Sequence, residues 1–359
     1  MVVAGGGTGG HLFPGLAVAE CVAGTDPRSV LFVGSVYGIE ARVVPQTRFD
    51  FRAVPIRGLR GRGWRGALQL GAQLPGAIVR AWRILGEFGA EVVVGVGGYA
   101  SFPVVVAAWL RRIPTVLLEQ NARPGMANRA LARLARRVCT TFPEANAYFP
   151  AAKVVLTGNP VRPFPAPAAA PRSGFTLLVF GGSQGAHRLN EAMADATAAL
   201  REALPALRII HQTGAADRAA LQARYASSAV AADVCEFIDD MGAAYHAADL
   251  VVCRSGATTV AELTTLGKPS ILVPYPFAAD DHQRANAGVL AARGAGILIL
   301  DRELTGSGLA QTIIALARDR ARLAAMAEAA RQLGVPDAAA RVAATCRAVV
   351  GEVERDEAV

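Results

Sequence analysis

Two glycine-rich turns, GGGTGGH from Gly5 to His11 and GGSQGAH from Gly181 to His187, each follow a short apolar run and open a helical pattern. Such a turn leaves backbone amides uncovered at a helix N-terminus, where the aligned peptide dipoles favour an anion. A chain that builds this unit twice, 176 residues apart, is expected to have two similar α/β domains, each offering a helix N-terminus to a negatively charged group. That is the outline of a two-lobed α/β protein with an anion site in each lobe.

Periodicity supports the same architecture. Val30 to Val33, Glu91 to Val96, Pro114 to Leu118 and Arg137 to Thr141 read as strands with helices between them. The pattern restarts with Phe175 to Phe180, Arg208 to Gln212, Val234 to Phe237, Leu250 to Cys253 and Ser270 to Val273. Strands alternating with helices imply parallel sheets and right-handed crossovers, so the fold class is α/β with two doubly wound, Rossmann-like domains. Pro160, Pro163, Pro165, Pro167 and Pro171 stiffen the stretch between the halves. The boundary is placed there, giving domains at 1–162 and 163–335, with an alanine-rich amphipathic helix over 336–359.

The 359 residues, 52% hydrophobic and 18% charged, exclude a disordered chain and suit two packed cores. Cys21, Cys139, Cys235, Cys253 and Cys346 form no CxxC pair, which suits reduced thiols and argues against zinc; His211, His246 and His282 have no clustered ligands either. The N-terminus runs through Val2 and Val3 into the glycine turn with no basic region or cleavage site, so no signal peptide is expected and the first strand should be short. Between Glu91 and Arg111 lie 19 uncharged residues, enough to raise a membrane span. Gly97, Gly98, Ser101 and Pro103 interrupt them, so strand, loop and helix are expected instead.

Charge is uneven. Residues 1–162 carry a net +11 and the remainder −3, within a total of +8. From Phe51 to Gly86 there are seven arginines (Arg52, Arg57, Arg60, Arg62, Arg65, Arg80 and Arg83) and no acid, interleaved with Trp64, Leu68, Leu70, Leu74, Ile78 and Trp82. That mixture suits an anionic membrane surface, where aromatic and aliphatic groups insert while arginines hold headgroups; nucleic acid has less use for the leucines. A solvated basic loop followed by a core helix is the plainer reading.

Gly5, Gly7 and Gly10 formally satisfy GxGxxG, but a dinucleotide site also wants an acid at the end of the second strand. That strand ends Phe32, Val33, Gly34, Ser35, so no acid is expected there and NAD is disfavoured. Lys268 lacks the GxxxxG spacing of a P-loop. The run from Arg254 to Glu262 sets small residues at a strand end, where amides can approach a phosphate and Glu262 can accept from ribose hydroxyls; capping by Ser255 or Thr258 with Glu262 on the surface fits equally. His11, directly after the first turn, is either a general base or a polar helix-start residue. His187 is its positional counterpart and a candidate phosphate-side donor.

The blocks GGTGGHLFPGLAVA, GVGGYASFP, EQNARPGMANR, TGNPVR, GGSQGA and SGATTVAEL with DDHQRANA occur in this order from residue 2 to about residue 345. In that order and spacing the chain closely resembles the MurG family of bacterial peptidoglycan N-acetylglucosaminyltransferases, members of the two-domain GT-B glycosyltransferases. The resemblance implies lobes facing each other across a cleft, a terminal helix crossing back to the first lobe, and inverting transfer of N-acetylglucosamine from UDP-GlcNAc to the muramoyl 4-hydroxyl of undecaprenyl-linked lipid I. It further implies a peripheral protein on the cytoplasmic face of the plasma (inner) membrane, with cell-wall synthesis or division proteins as further partners and no nucleic acid.

By the same resemblance Ser183, Gln184 and Arg162 meet the donor diphosphate, and Ile238 meets uracil through its backbone. Ala257, Thr258, Thr259, Val260, Ala261 and Glu262 form the nucleotide segment, with Glu262 on the ribose. Gln283 and Asn286 take the GlcNAc hydroxyls. Thr8, Gly9 and Gly10 face the acceptor diphosphate, His11 is the base, and Tyr99 and Asn121 line the cleft. Phe277 and Leu118 stand where many members carry histidine. No cofactor is implied. The DxD metal motif is absent, with Asp239–Asp240 and Asp280–Asp281 as the adjacent aspartate pairs, so no obligatory metal is expected.

Overall fold

The computed structural model describes residues 1–58, 63–165, 174–182 and 185–357, with residues 63–70, 354, 356 and 357 described in their backbone only. Arg60, Arg62, Pro167, Pro171, Ser183 and Gln184, and the side chains of Trp64, Arg65, Leu68 and Leu70, lie outside the described residues. The chain divides into two compact units, Met1–Arg162 with Val335–Val359, and Pro163–Gly334.

The first unit runs β1 (Val2–Gly5), α1 (Gly9–Ala23), β2 (Leu31–Ser35), α2 (Glu40–Val43), β3 (Asp50–Val54), α3 (Gly63–Phe88), β4 (Val93–Gly97), α4 (Ser101–Leu110), β5 (Thr115–Glu119), α5 (Met126–Leu131), β6 (Arg137–Thr140), α6 (Pro143–Asn146) and β7 (Val154–Leu156). Its seven strands are ordered β3-β2-β1-β4-β5-β6-β7 and all pair in parallel. β1 is central, with Val2 opposite Leu31 on one side and Val93 on the other. Covered on both faces, β1, β2, β4 and β5 are buried throughout, which is why they read as unbroken apolar runs. The uncharged stretch from 92 to 110 is β4, a glycine turn and α4, and no helix of the described residues is long and apolar enough to cross a membrane.

The second unit repeats the design with β8 (Phe175–Phe180), α7 (His187–Ala203), β9 (Leu207–Gln212), α8 (Arg218–Ser227), β10 (Ala231–Cys235), α9 (Met241–Ala247), β11 (Leu250–Cys253), α10 (Ala257–Leu266), β12 (Ser270–Leu272), α11 (His282–Ala292), β13 (Gly296–Leu298), α12 (Gly306–Arg318) and α13 (Arg320–Leu333). Its sheet order is β10-β9-β8-β11-β12-β13. β10 lies three residues before the start expected at Val234, because pairing with β9 fixes its register from Ala231 opposite Arg208 to Cys235 opposite Gln212. Phe237, expected to end that strand, is 56% exposed beyond it.

The last helix, α14 (Ala338–Glu357), belongs to the first unit. Val342, Cys346 and Val349 are buried in one cluster with Leu12, Val18 and Ala19 of α1. Arg137 on β6 pairs with Glu352 at 2.5 Å.

Candidate functional site

In a doubly wound sheet the crossovers leave in opposite directions on either side of the first strand, opening a crevice at the strands' carboxyl ends. In the first unit that point lies between β1 and β4, and the residues gathered there come from several turns. Gly5, Gly6 and Gly7 have φ of +136°, +140° and +89°, a region that side chains rarely adopt. Thr8 caps α1, and its Oγ1 lies 3.0 Å from His11 Nδ1. The β4 turn closes against this loop: a Cβ on Gly97 would press on the His11 ring, and one on Gly98 would strike the Gly6 carbonyl. The half-buried Tyr99 ring lies over Gly7 and Gly58, its Cε1 3.2 Å and 2.8 Å from where their Cβ atoms would be.

Glu119 ends β5 almost wholly buried and organises the loop that follows. Its carboxylate accepts from Asn121 N at 3.0 Å, Asn121 Nδ2 at 3.3 Å, Gly125 N at 3.2 Å and Asn128 Nδ2 at 3.0 Å. Burial nevertheless pushes its carboxyl above the usual carboxylate range, against the pull of those donors. Asn121 is thus held in place by a buried acid, a role for Glu119 that sequence reasoning missed.

The expectation that no acid stands after β2 needs correction. Glu40, in the first turn of α2, is 1% exposed and points back to the strand end, accepting from Ser35 N at 2.9 Å and Gly7 N at 2.7 Å. Both oxygens are engaged by backbone amides, so this carboxylate braces the glycine turn instead of offering itself to a ribose.

In the second unit the turn after β8 resumes at Gly185, whose φ is +75° and whose Cβ would strike the Thr213 carbonyl. Gln212, at the end of β9, ties this turn to the loop after β10: its Nε2 donates to Gly182 O at 2.8 Å and its Oε1 accepts from Ile238 N at 3.1 Å. The Ile238 amide is therefore engaged by the protein itself. Gly256 caps α10, placing Ala257, Thr258, Thr259, Val260 and Ala261 in its first turns; Ala257, Val260 and Ala261 are buried. Thr258 Oγ1, covered from solvent, has no hydrogen-bond partner among the described residues.

Glu262 Oε2 accepts from the hydroxyl of Tyr245 at 2.8 Å, and the fully buried Tyr245 ring is fixed edge-on against Phe164 and Phe180. Gln283 Oε1 accepts from Tyr275 N at 2.9 Å, while its carbonyl accepts from Ser255 Oγ at 2.8 Å. Asn286 is fully buried and donates to Ser255 O at 3.3 Å, an anchoring position behind the surface. Arg162 is exposed as the last residue before the unit boundary. No group of three or more metal-ligating side chains is gathered among the described residues.

His187 faces carboxylates: Asp217 Oδ1 lies 2.9 Å from its Nδ1 and Glu191 Oε1 3.3 Å from its Nε2. The hydrogen bond and charge of Asp217 raise its pKa, so the expected phosphate-side donor is engaged by acids.

His211 is the opposite case, fully buried between Tyr225 Oη at 2.8 Å and Asn190 Oδ1 at 3.1 Å, with burial lowering its pKa from 6.5 to about 3. Below pH 6.5 the unfolded chain takes up a proton that the folded chain refuses until about pH 3, so acidification through that window destabilises the fold. The expected loss at pH 5 is about 2 kcal/mol relative to neutral pH. Urea unfolding at pH 7 and pH 5 checks it, and the pH dependence should shrink in His211→Gln.

The glycosyltransferase family 28 N-terminal domain matches residues 1–140, and the family 28 C-terminal domain matches residues 176–342. A protein of Anaeromyxobacter sp. (strain K), named UDP-N-acetylglucosamine--N-acetylmuramyl-(pentapeptide) pyrophosphoryl-undecaprenol N-acetylglucosamine transferase, is 49% identical over 98% of this chain and 93% of its own length. A protein of the same name from Myxococcus xanthus is 48% identical over 96% of this chain and 92% of its own. Among solved structures, Acinetobacter baumannii MurG superposes with a TM-score of 0.80 at 34% identity, covering 96% of this chain and 98% of that one. A UDP-GlcNAc 2-epimerase from Neisseria meningitidis reaches a TM-score of 0.68 at 15% identity, covering 96% of this chain and 98% of that one, which is a likeness of fold alone. With both halves matched in order and nearly half of all residues shared with named transferases, the chain belongs to glycosyltransferase family 28.

Proposed function

We infer that this chain transfers N-acetylglucosamine from UDP-GlcNAc to the 4-hydroxyl of the muramoyl sugar of undecaprenyl-linked lipid I, making lipid II for peptidoglycan. The carrying observation is the 49% identity over 98% of the chain to a transferase named for that reaction. In a single inverting displacement the acceptor oxygen bonds to the anomeric carbon as the bond to UDP breaks, and the hydroxyl proton must leave.

His11 is the proposed base. The tautomer with its hydrogen on Nδ1, donated to Thr8 Oγ1, leaves Nε2 as proton acceptor. Around it Gly9 and Gly10 present the first-turn amides of α1, which have no partner within the helix and suit the acceptor's diphosphate. Tyr99 and Asn121 complete the acceptor side, in the unit formed by Met1–Arg162 and Val335–Val359.

The donor side is assigned to Pro163–Gly334. There Ser183, Gln184 and the first-turn amides of α10 meet the diphosphate, with Arg162 in support, and the helix dipole offsets the charge that grows on the leaving UDP. With its amide committed to Gln212, Ile238 offers uracil its carbonyl. Glu262, oriented by Tyr245, takes the ribose hydroxyls, and Gln283 takes the sugar.

The test is transfer of labelled GlcNAc to a lipid I analogue. His11→Ala should lower kcat by about 100-fold with donor binding intact. Conversion of UDP-GlcNAc without acceptor would instead indicate a 2-epimerase.

A peripheral seat on the cytoplasmic leaflet follows from the lipid acceptor. It is supported by α3, which buries Ala77, Ala81, Ile84 and Leu85 and leaves Val79, Arg80, Trp82 and Arg83 exposed. Trp109 and Leu110, at the end of α4, are 52% and 54% exposed, and Arg111 stacks 4.2 Å over the Trp82 ring. Aromatic edges beside arginines fit the interface of an anionic bilayer. Arg80→Glu with Arg83→Glu should reduce binding to vesicles containing anionic lipid by about tenfold or more, at about 1 kcal/mol per basic residue removed. Equal binding of parent and variant in a sedimentation assay would refute that surface. Enzymes that make lipid I or use lipid II in wall growth and division are the protein partners this reading implies.

A further inference from the structure

Glu40 is a buried acid for which the proposed reaction has no use, yet the fold is built around it. Its side chain is 1% exposed, and among the described residues no arginine, lysine or histidine pairs with it. Its charge is instead met by two amides, Gly7 N at 2.7 Å and Ser35 N at 2.9 Å, drawn from two different strand ends. Three glycines make room for it. A Cβ on Gly6 or Gly38 would fall inside the carboxyl group, and one on Gly34 would lie 2.5 Å from Glu40 Cγ. Gly34 and Gly38 lack positive φ, so backbone strain does not demand glycine there; space for the Glu40 side chain does, with the Gly5 carbonyl, 3.0 Å from a Gly34 Cβ, as a lesser constraint.

A glycine turn of this kind ordinarily turns its amides towards a phosphate held deep beside the first strand. Here the chain's own carboxylate takes the Gly7 amide, and its negative charge opposes a second anion at that depth. We propose that Glu40 is a positioning residue that fills the inner anion site of the first glycine turn, so that the acceptor's diphosphate is held further out, over Gly9 and Gly10 beside Thr8 and His11. This rests on the transferase reading given above.

The test uses the full chain with a lipid I analogue, UDP-GlcNAc and, separately, UDP calorimetry. Glu40→Gln keeps the size but replaces one acceptor oxygen with a donor, so either Gly7 N or Ser35 N loses its partner. Gly34→Ala disturbs the same carboxyl from the opposite side without touching its charge. Each should lower kcat/KM for the acceptor about 10- to 100-fold, the worth of a hydrogen bond to a charged group, with the Kd for UDP unchanged within about twofold. Because both act through one carboxyl, the double variant should be no worse than the poorer single one.

Glu40→Asp, which retains the charge but retreats by one methylene, should fall between parent and Glu40→Gln, and it carries the test if Glu40→Gln does not fold. Parent-like acceptor kinetics per folded molecule, with only a lowered Tm, would overturn the proposal and leave Glu40 a purely structural brace. Additive losses in the double variant would overturn it as well. A parent that transfers nothing to lipid I would instead defeat the function on which the proposal rests.

Discussion

Replacing Glu262 with alanine should weaken UDP binding by roughly 100-fold while leaving kcat at saturating donor within a few-fold of the parent, because hydrogen bonds to an ionised group contribute about 1.5–3 kcal/mol. The effect is expected in affinity because the ribose hydroxyls are held alike in the ground state and the transition state. The Tyr245 hydroxyl at 2.8 Å from Glu262 Oε2 gives a graded companion. Tyr245→Phe keeps the ring against Phe164 and Phe180 and should weaken UDP only about tenfold, by loosening the carboxylate. Calorimetry with UDP measures both, and a Glu262→Ala variant that binds UDP as the parent does would remove Glu262 from the donor site.

Arg254→Ala should destabilise the second unit by about 3–5 kcal/mol, the usual cost of leaving a buried charge without its partner. Arg254 and Asp301 are 11% and 9% exposed at the side chain and meet at 2.6 Å. The same Nη1 donates to Val273 O at 3.2 Å and Pro274 O at 3.0 Å, so the truncation strands a carboxylate and two carbonyls together. Arg188, 3.7 Å from Asp301 and half-exposed, is too far out to replace it. Denaturant unfolding followed by UDP-protected proteolysis reads the change in this unit. Replacing both partners, as Arg254→Met with Asp301→Leu, should recover much of the loss, and a double variant as unstable as the single one would show that the pair's charge is not the cause.

Most interior strands were legible in the sequence because they are buried on both faces and therefore largely apolar, as at Val93–Gly97 and Leu250–Cys253. The strands that were missed or displaced are β3, β7, β10 and β13, the outermost strands of the two sheets. Asp50–Val54 alternates exposed and half-buried residues and carries two charges, and Val154–Leu156 and Gly296–Leu298 are three residues each. An edge strand half open to water has no apolar run to announce it.

The glycine turns and Glu262 stood out because small residues at a strand end are a local signal. Glu40 and Gln212 did not, because a partner of each is distant: Gly7 is 33 residues from Glu40, and Ile238 is 26 residues from Gln212. An isolated acid or amide in a sequence carries no sign of which backbone amides will converge on it.

The return of α14 to the first unit has a consequence for biosynthesis. The cluster of Leu12, Val18 and Ala19 is completed by Val342, Cys346 and Val349, which leave the ribosome only after the whole of Pro163–Gly334, itself one continuous segment. The half that is translated first must wait, with an oily flank uncovered, until the closing helix emerges, so the later half can finish folding before the earlier one. A nascent chain stalled before residue 338 should accordingly bind nucleotide yet still require a chaperone at its leading end.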